Sequence, residues 1–296
     1  MAVQFRRVLL IVNPGARRGE RVLPKAVRAF ADAGVHCDAM TTESPGHGAE
    51  LALALATKYD AIFTLGGDGT AIEVIGALAH AGPPVGVLPG GTANVVARTL
   101  GVPANIGRAV HRLLEGEEAR VDLGRLSTGQ RFAVGMGVGL DASMIALAPS
   151  RLKRRFGFFA YLMSAARALV KLEPFQIRME VDGEVIETRA VVALVLNIGA
   201  ILNDLIRFGD GIRRDDGYLN ACIYSPANHR DTVRIIWKML RKDFSPDPCI
   251  IYRQGCNFRL STDPPTMGQA DGELIGTAPF HIVVEPLAAR VLVPRR

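Results

Sequence analysis

The sequence is poor in the residues on which several protein classes depend. Only four of its 296 residues are cysteines, and these form no C-x-x-C pair and lie beside no histidine cluster (Cys37, Cys222, Cys249 and Cys256). Neither a disulfide framework nor a structural zinc site is indicated, and a reducing, cytoplasmic compartment fits best. No apolar run approaches the roughly 18 residues of a membrane span. We therefore expect any membrane contact to be peripheral.

Composition and length indicate a folded protein of two domains or one large one. The chain is 49% hydrophobic and 22% charged, and its 31 glycines and 17 prolines follow no fixed period, which excludes disorder, collagen and coiled coil. The net charge of +6 favours anionic partners such as phosphates or acidic lipid surfaces. We expect no nucleic-acid partner, because no recognised module is present and no aromatics interleave a basic strand.

The first 120 residues alternate short β-branched runs with segments of helical apolar spacing. This alternation predicts an α/β domain with a doubly wound parallel sheet, whose ligands bind at the carboxyl ends of the strands. After residue 120 the pattern changes to paired strands, such as 176–181 and 185–196 around Asp182-Gly183, a type I′ hairpin signal. We predict an α/β domain over 1–120 and a mostly antiparallel β-sandwich domain over 121–296, leaving open a return of the last strand to the first domain. Predicted strands are 8–12, 35–40, 61–65 and 85–88, and predicted helices are 23–33, 49–58, 71–81, 106–116, 156–172 and 230–242.

A glycine-rich loop, Gly66-Gly67-Asp68-Gly69-Thr70, follows the third strand and precedes a helix. Glycines let backbone N–H groups approach an anion, and a helix N-terminus favours negative charge, so this loop is a candidate phosphate site. A carboxylate among phosphates needs a cation, so Asp68 implies Mg²⁺. The alternative is a tight turn with Asp68 as an N-cap.

A second loop, Pro89-Gly90-Gly91-Thr92-Ala93-Asn94, repeats the glycine pair one strand later, with Thr92 and Asn94 as donors to phosphate or ribose oxygens. Neither loop is a Walker loop, and the first strand is not followed by G-x-G-x-x-G. Asn13-Pro14-Gly15 with Arg17 and Arg18 either closes over a nucleotide or forms an ordinary turn.

Three further segments carry candidate chemistry. Asp271 and Glu273 in Asp271-Gly272-Glu273 are candidate proton acceptors, although Asp-Gly is usually a hairpin turn. Asp215-Asp216-Gly217-Tyr218 is a charged turn or an oxygen-ligand cation site. Residues 151–162 place four cations before an aromatic-rich run, which suits either contact with an anionic membrane or a buried amphipathic helix.

Taken together, four motifs resemble the diacylglycerol kinase catalytic family, which includes bacterial lipid kinases, sphingosine kinases and ceramide kinases. They are Asn13-Pro14-Gly15, the Gly66 to Thr70 pentad, Gly91-Thr92-Ala93-Asn94 and Asp271-Gly272-Glu273. The pentad also occurs in NAD kinases, but the first and third motifs favour the lipid-kinase branch. Gly48 and Val95 depart from the residues that the family often carries at these positions.

The resemblance implies transfer of the γ-phosphoryl of ATP to a lipid hydroxyl with Mg²⁺, between an N-terminal α/β domain and a C-terminal β-sandwich. It makes Glu273 the expected base, with Asp271 and Asp68 as rivals. It implies a structural Mg²⁺ at Asp216 and the backbone carbonyls of Arg213 and Tyr218, and a lipid contact at Asp141, which could instead cap a helix. The nucleotide-lining residues would be Asn13, Thr42, Gly66, Gly67, Asp68, Gly69, Thr70 and Thr92.

Two other functions stay open at this point. The chain could phosphorylate a soluble acceptor such as NAD, or it could be a non-catalytic regulator that binds lipid or nucleotide. The acceptor lipid (diacylglycerol, ceramide or a sphingoid base) and the formation of a homodimer are likewise open.

Overall fold

The computed structural model of the chain describes residues 5–16, 19–139, 173–201 and 206–295. The chain divides into two compact units: Met1–Val121 with Leu287–Arg296, and Asp122–Pro286. In the described part of the chain, no helix is long and apolar enough to cross a membrane.

The first unit is the predicted α/β domain with a parallel sheet, in the strand order β2-β1-β3-β4. The last residues of strand β18 (Phe280–Val293) pair in parallel with β4 at Val291 and Val85. Helices cover the sheet, and Leu9, Leu10 and Ile11 of β1 are fully buried, as expected for a strand covered on both faces. The elements are β1 (Arg7–Val12), α1 (Gly19–Asp32), β2 (His36–Thr41), α2 (His47–Leu55), a 3₁₀ turn (Ala56–Lys58), β3 (Ala61–Gly66), α3 (Asp68–Ala77), β4 (Val85–Pro89), α4 (Val95–Thr99) and α5 (Ile106–Leu114).

The second unit is the predicted antiparallel β-sandwich. One sheet has the order β14-β13-β10-β7-β16-β17, and β18, β15, β8 and β9 are neighbours in the other. Buried side chains of both sheets, among them Met136, Val195, Phe258 and Ile282, form a single core cluster. The strands are β5 (Glu117–Leu126), β6 (Arg131–Phe132), β7 (Gly135–Gly139), β8 (Phe175–Val181), β9 (Glu184–Ala190), β10 (Val192–Leu196), β11 (Ala200–Ile201), β12 (Ile206–Arg207), β13 (Leu219–Tyr224), β14 (Ile250–Gly255), β15 (Asn257–Asp263), β16 (Met267–Ala270), β17 (Glu273–Thr277) and β18 (Phe280–Val293).

Two local predictions in this unit are confirmed. Asp182 and Gly183 join β8 to β9 with φ values of 49° and 95°, as a type I′ turn requires. The helix predicted over 230–242 is α6 (His229–Arg241). It begins after Asn228, whose side chain accepts hydrogen bonds from the backbone N–H groups of Arg230 and Asp231. The helix predicted over 156–172 lies outside the described residues.

A second hydrophobic cluster lies on the other side of the β13-β10 pair. Leu194, Cys222 and Tyr224 point into it, and Ile235 and Met239 of α6 pack against them. The inward face of α6 is therefore fixed by the sheet, and its opposite face points away from the core.

Candidate functional site

The first glycine loop turns the chain sharply from β3 into α3. Gly67 is the N-cap of α3 in an extended conformation, and the helix begins at Asp68. The side-chain N–H of Asn13, which follows β1, donates to the Thr70 hydroxyl over 2.9 Å. A Cβ on Gly66 would lie 2.9 Å from the Thr70 hydroxyl oxygen and 3.2 Å from the Asn13 Cβ. Asn13, Gly66 and Thr70 are therefore brought together, and no larger residue than glycine fits between the two side chains.

The glycines of the second loop contact those of the first through backbone atoms. The N–H of Gly90 donates to the carbonyl of Gly66 over 2.9 Å, and a Cβ on Gly91 would lie 2.6 Å from the Cα of Gly67. Asn94, at φ 49°, closes the loop, since its side chain accepts from the N–H of Gly91 and donates to the Gly91 carbonyl. The two loops thus form one surface in which backbone lies against backbone.

Asp68 connects the two loops. Its Oδ1 accepts a hydrogen bond from the backbone N–H of Val96 in the first turn of α4, over 2.8 Å. Asp68 is not the N-cap of its own helix, because Gly67 holds that position without a side-chain cap. Burial raises the pKa of the Asp68 carboxyl above its usual value, against the opposing effects of the α4 N–H groups and the Arg98 charge. The positive charge near Asp68 therefore does not fully compensate its ionised carboxylate.

The other predicted nucleotide residues are also placed at this edge of the sheet. Thr42 is buried directly after β2, and its N–H donates to the carbonyl of Val12 at the end of β1. Gly69 and Thr92 are exposed. Arg17 and Arg18 lie outside the described residues.

The departure at Gly48 has a structural explanation. Glu73 of α3 accepts a hydrogen bond from the backbone N–H of Ala49 in the first turn of α2, over 3.0 Å. A Cβ on Gly48 would lie only 3.0 Å from the same carboxylate oxygen. Gly48 therefore leaves room for Glu73 to cap α2. The structure gives Val95 as the first residue of α4.

In the second unit, Asp271 is anchored by backbone groups. Its carboxylate accepts three hydrogen bonds of 2.7 to 2.9 Å, from the N–H groups of Ala133, Val134 and Gly135. Its own N–H donates to the carbonyl of Gly135, and it holds φ 49° in the turn between β16 and β17. Asp271 thus fixes this turn against the start of β7.

Glu273 presents a different environment from that of Asp271. It is the first residue of β17 and is exposed, so its carboxylate can reach solvent. The turn before it is held by Gln269, whose side-chain oxygen accepts from the N–H of Gly272 over 2.8 Å. The arrangement holds the backbone at 271–273 and leaves the Glu273 side chain at the surface.

Two polar residues that sequence reasoning missed hold this region together. Asn197, which is 1% exposed, donates from its side chain to the carbonyls of Asp122 and Ala133. Asp122, fully buried in β5, accepts from the N–H of Gly217, and its own N–H donates to the carbonyl of Arg214. Both residues directly follow or interrupt apolar runs, and a polar residue inside such a run is the signal that could have found them.

The predicted cation loop, residues 213–218, is anchored to Asp122 in this way. The Asp216 carboxylate accepts from the N–H of Tyr218 over 3.1 Å and from the side-chain amide of Gln254 over 3.2 Å. The Arg213 side chain pairs with Asp215. Among the described residues, no group of three or more His, Cys, Asp or Glu side chains could hold a metal. A Mg²⁺ at Asp216 and the carbonyls of Arg213 and Tyr218 stays a prediction.

Two other predicted sites fall outside the described residues. These are the lipid contact at Asp141 and the basic, aromatic-rich segment 151–162.

Comparison with known proteins agrees with this geometry. Residues 7–126 match the family described as "Diacylglycerol kinase catalytic domain", and residues 134–293 match the "YegS C-terminal NAD kinase beta sandwich-like domain". A protein of Staphylococcus saprophyticus named diacylglycerol kinase is 29% identical over 287 residues, covering 94% of this chain and 92% of its own. Its Staphylococcus aureus namesake is 28% identical over 284 residues, covering 94% and 89%.

A solved structure is similar over nearly the whole chain. It is a crystal structure from Bacillus anthracis str. Sterne, provisionally described as a diacylglycerol kinase, with a TM-score of 0.85 and 27% identity over 99% of this chain and 98% of its own. With both halves of the chain matched and the glycine loops in place, the chain belongs to the diacylglycerol kinase catalytic family and is a lipid kinase.

Proposed function

We propose that this lipid kinase transfers the γ-phosphoryl of ATP to the hydroxyl of diacylglycerol. The observation that carries the nucleotide part is the contact of Gly66 and Gly67 with Gly90 and Gly91. Among the described residues other than its chain neighbours, the atom nearest to a Cβ placed on Gly67, the N-cap of α3, would be the backbone Cα of Gly91, at 3.9 Å. A phosphate can approach such backbone closely. Diacylglycerol is the acceptor because the staphylococcal relatives carry that name.

The nucleotide binds in the first domain, predicted as 1–120, and the lipid in the second, predicted as 121–296. Gly66, Gly67, Gly69 and Thr70 contact the phosphates. The Asn13 side chain, which donates to Thr70, holds that hydroxyl in place. Thr42 and Thr92 complete the set proposed to line the nucleotide.

The environment of Asp68 in this loop makes it a suitable partner for Mg²⁺. Burial raises its carboxyl pKa despite the charge of Arg98, so the ionised form is only partly compensated, and a cation beside it would supply the remaining charge. When bound, Mg²⁺ neutralises charge on the phosphate oxygens during transfer. The N–H of Val96 holds one carboxylate oxygen, which orients Asp68 for this role.

Glu273 is the proton acceptor in this proposal, and Asp271 positions it. The lipid hydroxyl oxygen bonds to the γ-phosphorus while the bond to the β,γ-bridging oxygen breaks, so ADP leaves and Glu273 takes the hydroxyl proton. Asp271 is less suited to this step because three backbone N–H groups already occupy its carboxylate.

The test is transfer of labelled γ-phosphate from Mg-ATP to lipids in mixed detergent micelles. The panel contains diacylglycerol, ceramide and sphingosine, with NAD as a soluble control because the second half of the chain matches an NAD kinase-like sandwich. We expect labelled phosphatidic acid. If a different lipid is labelled, the proposed acceptor is wrong but the lipid kinase function stands. If only NADP is labelled, the result favours a soluble acceptor.

A further inference from the structure

The outward face of α6 exposes two large apolar side chains. Thr232 and Ile235 face inward and are buried. One helical turn apart on the other side, Val233 is 67% exposed and Trp237 is 57% exposed. Residues four apart lie on the same face of a helix. Val233 and Trp237 therefore form a paired apolar surface directed away from the protein core.

Cations surround this pair. The guanidinium carbon of Arg241 lies over the Trp237 ring, 5.3 Å from its centroid. Arg230, one turn before Arg234, is exposed near the start of the helix, and Lys242 ends it in an exposed position. The outward face thus combines one aromatic ring, one β-branched side chain and several positive charges.

The acidic side chains near α6 form ion pairs with cations of the helix. Asp231, the single acid of the helix, pairs with Arg234 over 3.2 Å. Asp247 pairs with Arg234 over 3.3 Å and with Lys238 over 3.5 Å. Just past the helix, Asp243 accepts the backbone N–H of Ser245. The charges of Lys238 and Arg241 also act on Asp243. Residues 229–247 nevertheless contain five cations (Arg230, Arg234, Lys238, Arg241 and Lys242) and three acids (Asp231, Asp243 and Asp247), so the segment keeps a net positive charge.

This chemistry fits an anionic bilayer better than it fits a second copy of the chain. Exposed tryptophan flanked by arginine is characteristic of helices that lie at the level of lipid headgroups, where the ring is buried and the cations meet phosphates. Two copies meeting through this face would bring Arg230 and Arg241 against like charges, which disfavours association. The net charge of the whole chain, +6, adds to the attraction for anionic lipid.

We propose that Arg230, Val233, Trp237 and Arg241 form a docking face that places this kinase on a bilayer containing anionic phospholipid. Trp237 and Val233 enter the headgroup region, and the two arginines contact lipid phosphates. The proposal rests on the lipid kinase function given above, because an enzyme whose acceptor resides in a bilayer must reach that surface.

The chain supplies its own probe, since Trp237 is its single tryptophan. We expect its fluorescence to shift to the blue with vesicles of phosphatidylcholine and phosphatidylglycerol, and to be quenched by lipids brominated near the headgroup. Vesicles of phosphatidylcholine alone should give a much smaller shift, and added salt should weaken the binding because it screens charge.

Variants with matched controls test the assignment by co-sedimentation with the same vesicles. Val233→Glu and the double variant Arg230→Glu/Arg241→Glu should each bind about tenfold or more weakly, since one cation near an anionic surface is worth roughly fivefold in binding. Leu53→Glu places the same charge at a 61% exposed leucine of α2, and Arg28→Glu reverses an exposed cation of α1. Both controls should bind like the unaltered chain.

Three results would overturn the docking face: no shift of Trp237 when the chain binds vesicles, no vesicle binding at all, or equal losses in the controls. A blue shift that depends on protein concentration without vesicles would instead identify a face between two copies. Diacylglycerol phosphorylation in non-ionic micelles separates the two proposals, because docking variants should keep full activity there. An unaltered chain that inserts Trp237 but phosphorylates no lipid would remove the proposed function and leave the docking face.

Discussion

Gly91 packs on Gly67 so closely that a Cβ on Gly91 would lie 2.6 Å from the Gly67 Cα. The reverse is not true, since the nearest atom that a Cβ on Gly67 would meet in the described part of the chain, its chain neighbours aside, is the Gly91 Cα at 3.9 Å. One glycine of the pair is therefore required by packing, whereas the other leaves open space. Open space beside a helix N-terminus is what a phosphate group needs.

This asymmetry predicts opposite behaviour for two alanine variants. Gly91→Ala should lower the free energy of unfolding by about 1 to 3 kcal/mol, as forced overpacking does. Gly67→Ala should leave stability nearly unchanged, because its φ of −88° suits alanine, yet it should raise the Michaelis constant for ATP about tenfold or more by blocking charged hydrogen bonds to phosphate. Urea unfolding and ATP titrations measure the two effects.

Gly107→Ala in α5 serves as the control for both variants. A Cβ added at Gly107 would lie 3.6 Å from its nearest neighbour, the side-chain oxygen of Asn105. Because alanine is favoured over glycine in a helix, stability should not fall and kinetics should not change. Normal ATP kinetics in Gly67→Ala would remove this glycine from the nucleotide site.

Asp68→Asn separates the charge of Asp68 from its hydrogen bond to Val96. The amide oxygen can still accept the Val96 N–H, so the fold should persist while turnover falls about a hundredfold or more through lost charge stabilisation. Wild-type turnover in this variant would exclude Asp68 from the reaction.

The same variant has a predictable pH dependence of stability without metal or nucleotide. Because the folded pKa of Asp68 lies above its usual 3.8, the folded state binds more protons than the unfolded state between the two pKa values. Stability of the unaltered chain therefore falls as pH rises through this window, and the cost is full above the folded pKa. In EDTA, Asp68→Asn should have the higher melting temperature at pH 7, and this advantage should shrink as pH falls through the window and be lost below the usual pKa of 3.8.

Glu273→Gln should lower turnover by roughly 10² to 10⁴-fold, because it removes the proposed proton acceptor. Glu273 is exposed at the start of β17, so the melting temperature and the Michaelis constant for ATP should barely change. A variant that mainly raises the Michaelis constant would instead indicate a positioning role.

Asp271→Ala tests the contrasting role of the neighbouring carboxylate. It leaves three backbone N–H groups without their acceptor, and each such loss costs about 1 to 3 kcal/mol. Asparagine tolerates the φ of 49° at position 271 and retains one acceptor oxygen. In urea unfolding, the stability of Asp271→Asn should therefore lie between that of the unaltered chain and that of Asp271→Ala. If Asp271→Ala unfolds like the unaltered chain, the anchoring described for this turn is wrong.

Asp216→Ala tests the predicted structural Mg²⁺. We expect MgCl₂ to raise the melting temperature of the unaltered chain and of Asp215→Ala, the neighbouring control, but not that of Asp216→Ala. Nucleotide is left out of this experiment so that Mg²⁺ beside Asp68 contributes little to the change in melting temperature. Equal responses of all three chains would exclude a cation at this loop.

The sequence allowed the strands and the glycine loops to be predicted because both depend on short-range patterns. The apolar runs of β1 and β3 and the paired glycines are local signals. The five-residue helix α4 was not predicted, since it is too short for an apolar period. Its role became apparent only from the bond between Asp68 and Val96, which are 28 positions apart.

Long-range hydrogen bonds explain what could not be predicted in the second unit. The Asp-Gly dipeptide correctly indicated a turn at Asp271, but its three partners lie 136 to 138 positions earlier. Asn197 likewise reaches the carbonyls of Asp122 and Ala133, which lie 75 and 64 positions earlier. A pattern of neighbouring residues contains no information about such pairs.

The course of β18 has a consequence for biosynthesis. This strand leaves the second unit after Pro286 and supplies the first unit with Val291, the partner of Val85 in β4. While the ribosome is still translating the sandwich, the first unit lacks one of its buried strands. We expect the nascent amino-terminal segment to remain sensitive to proteases until residues 287–293 emerge, so that the first unit completes its folding only after the sandwich has been translated.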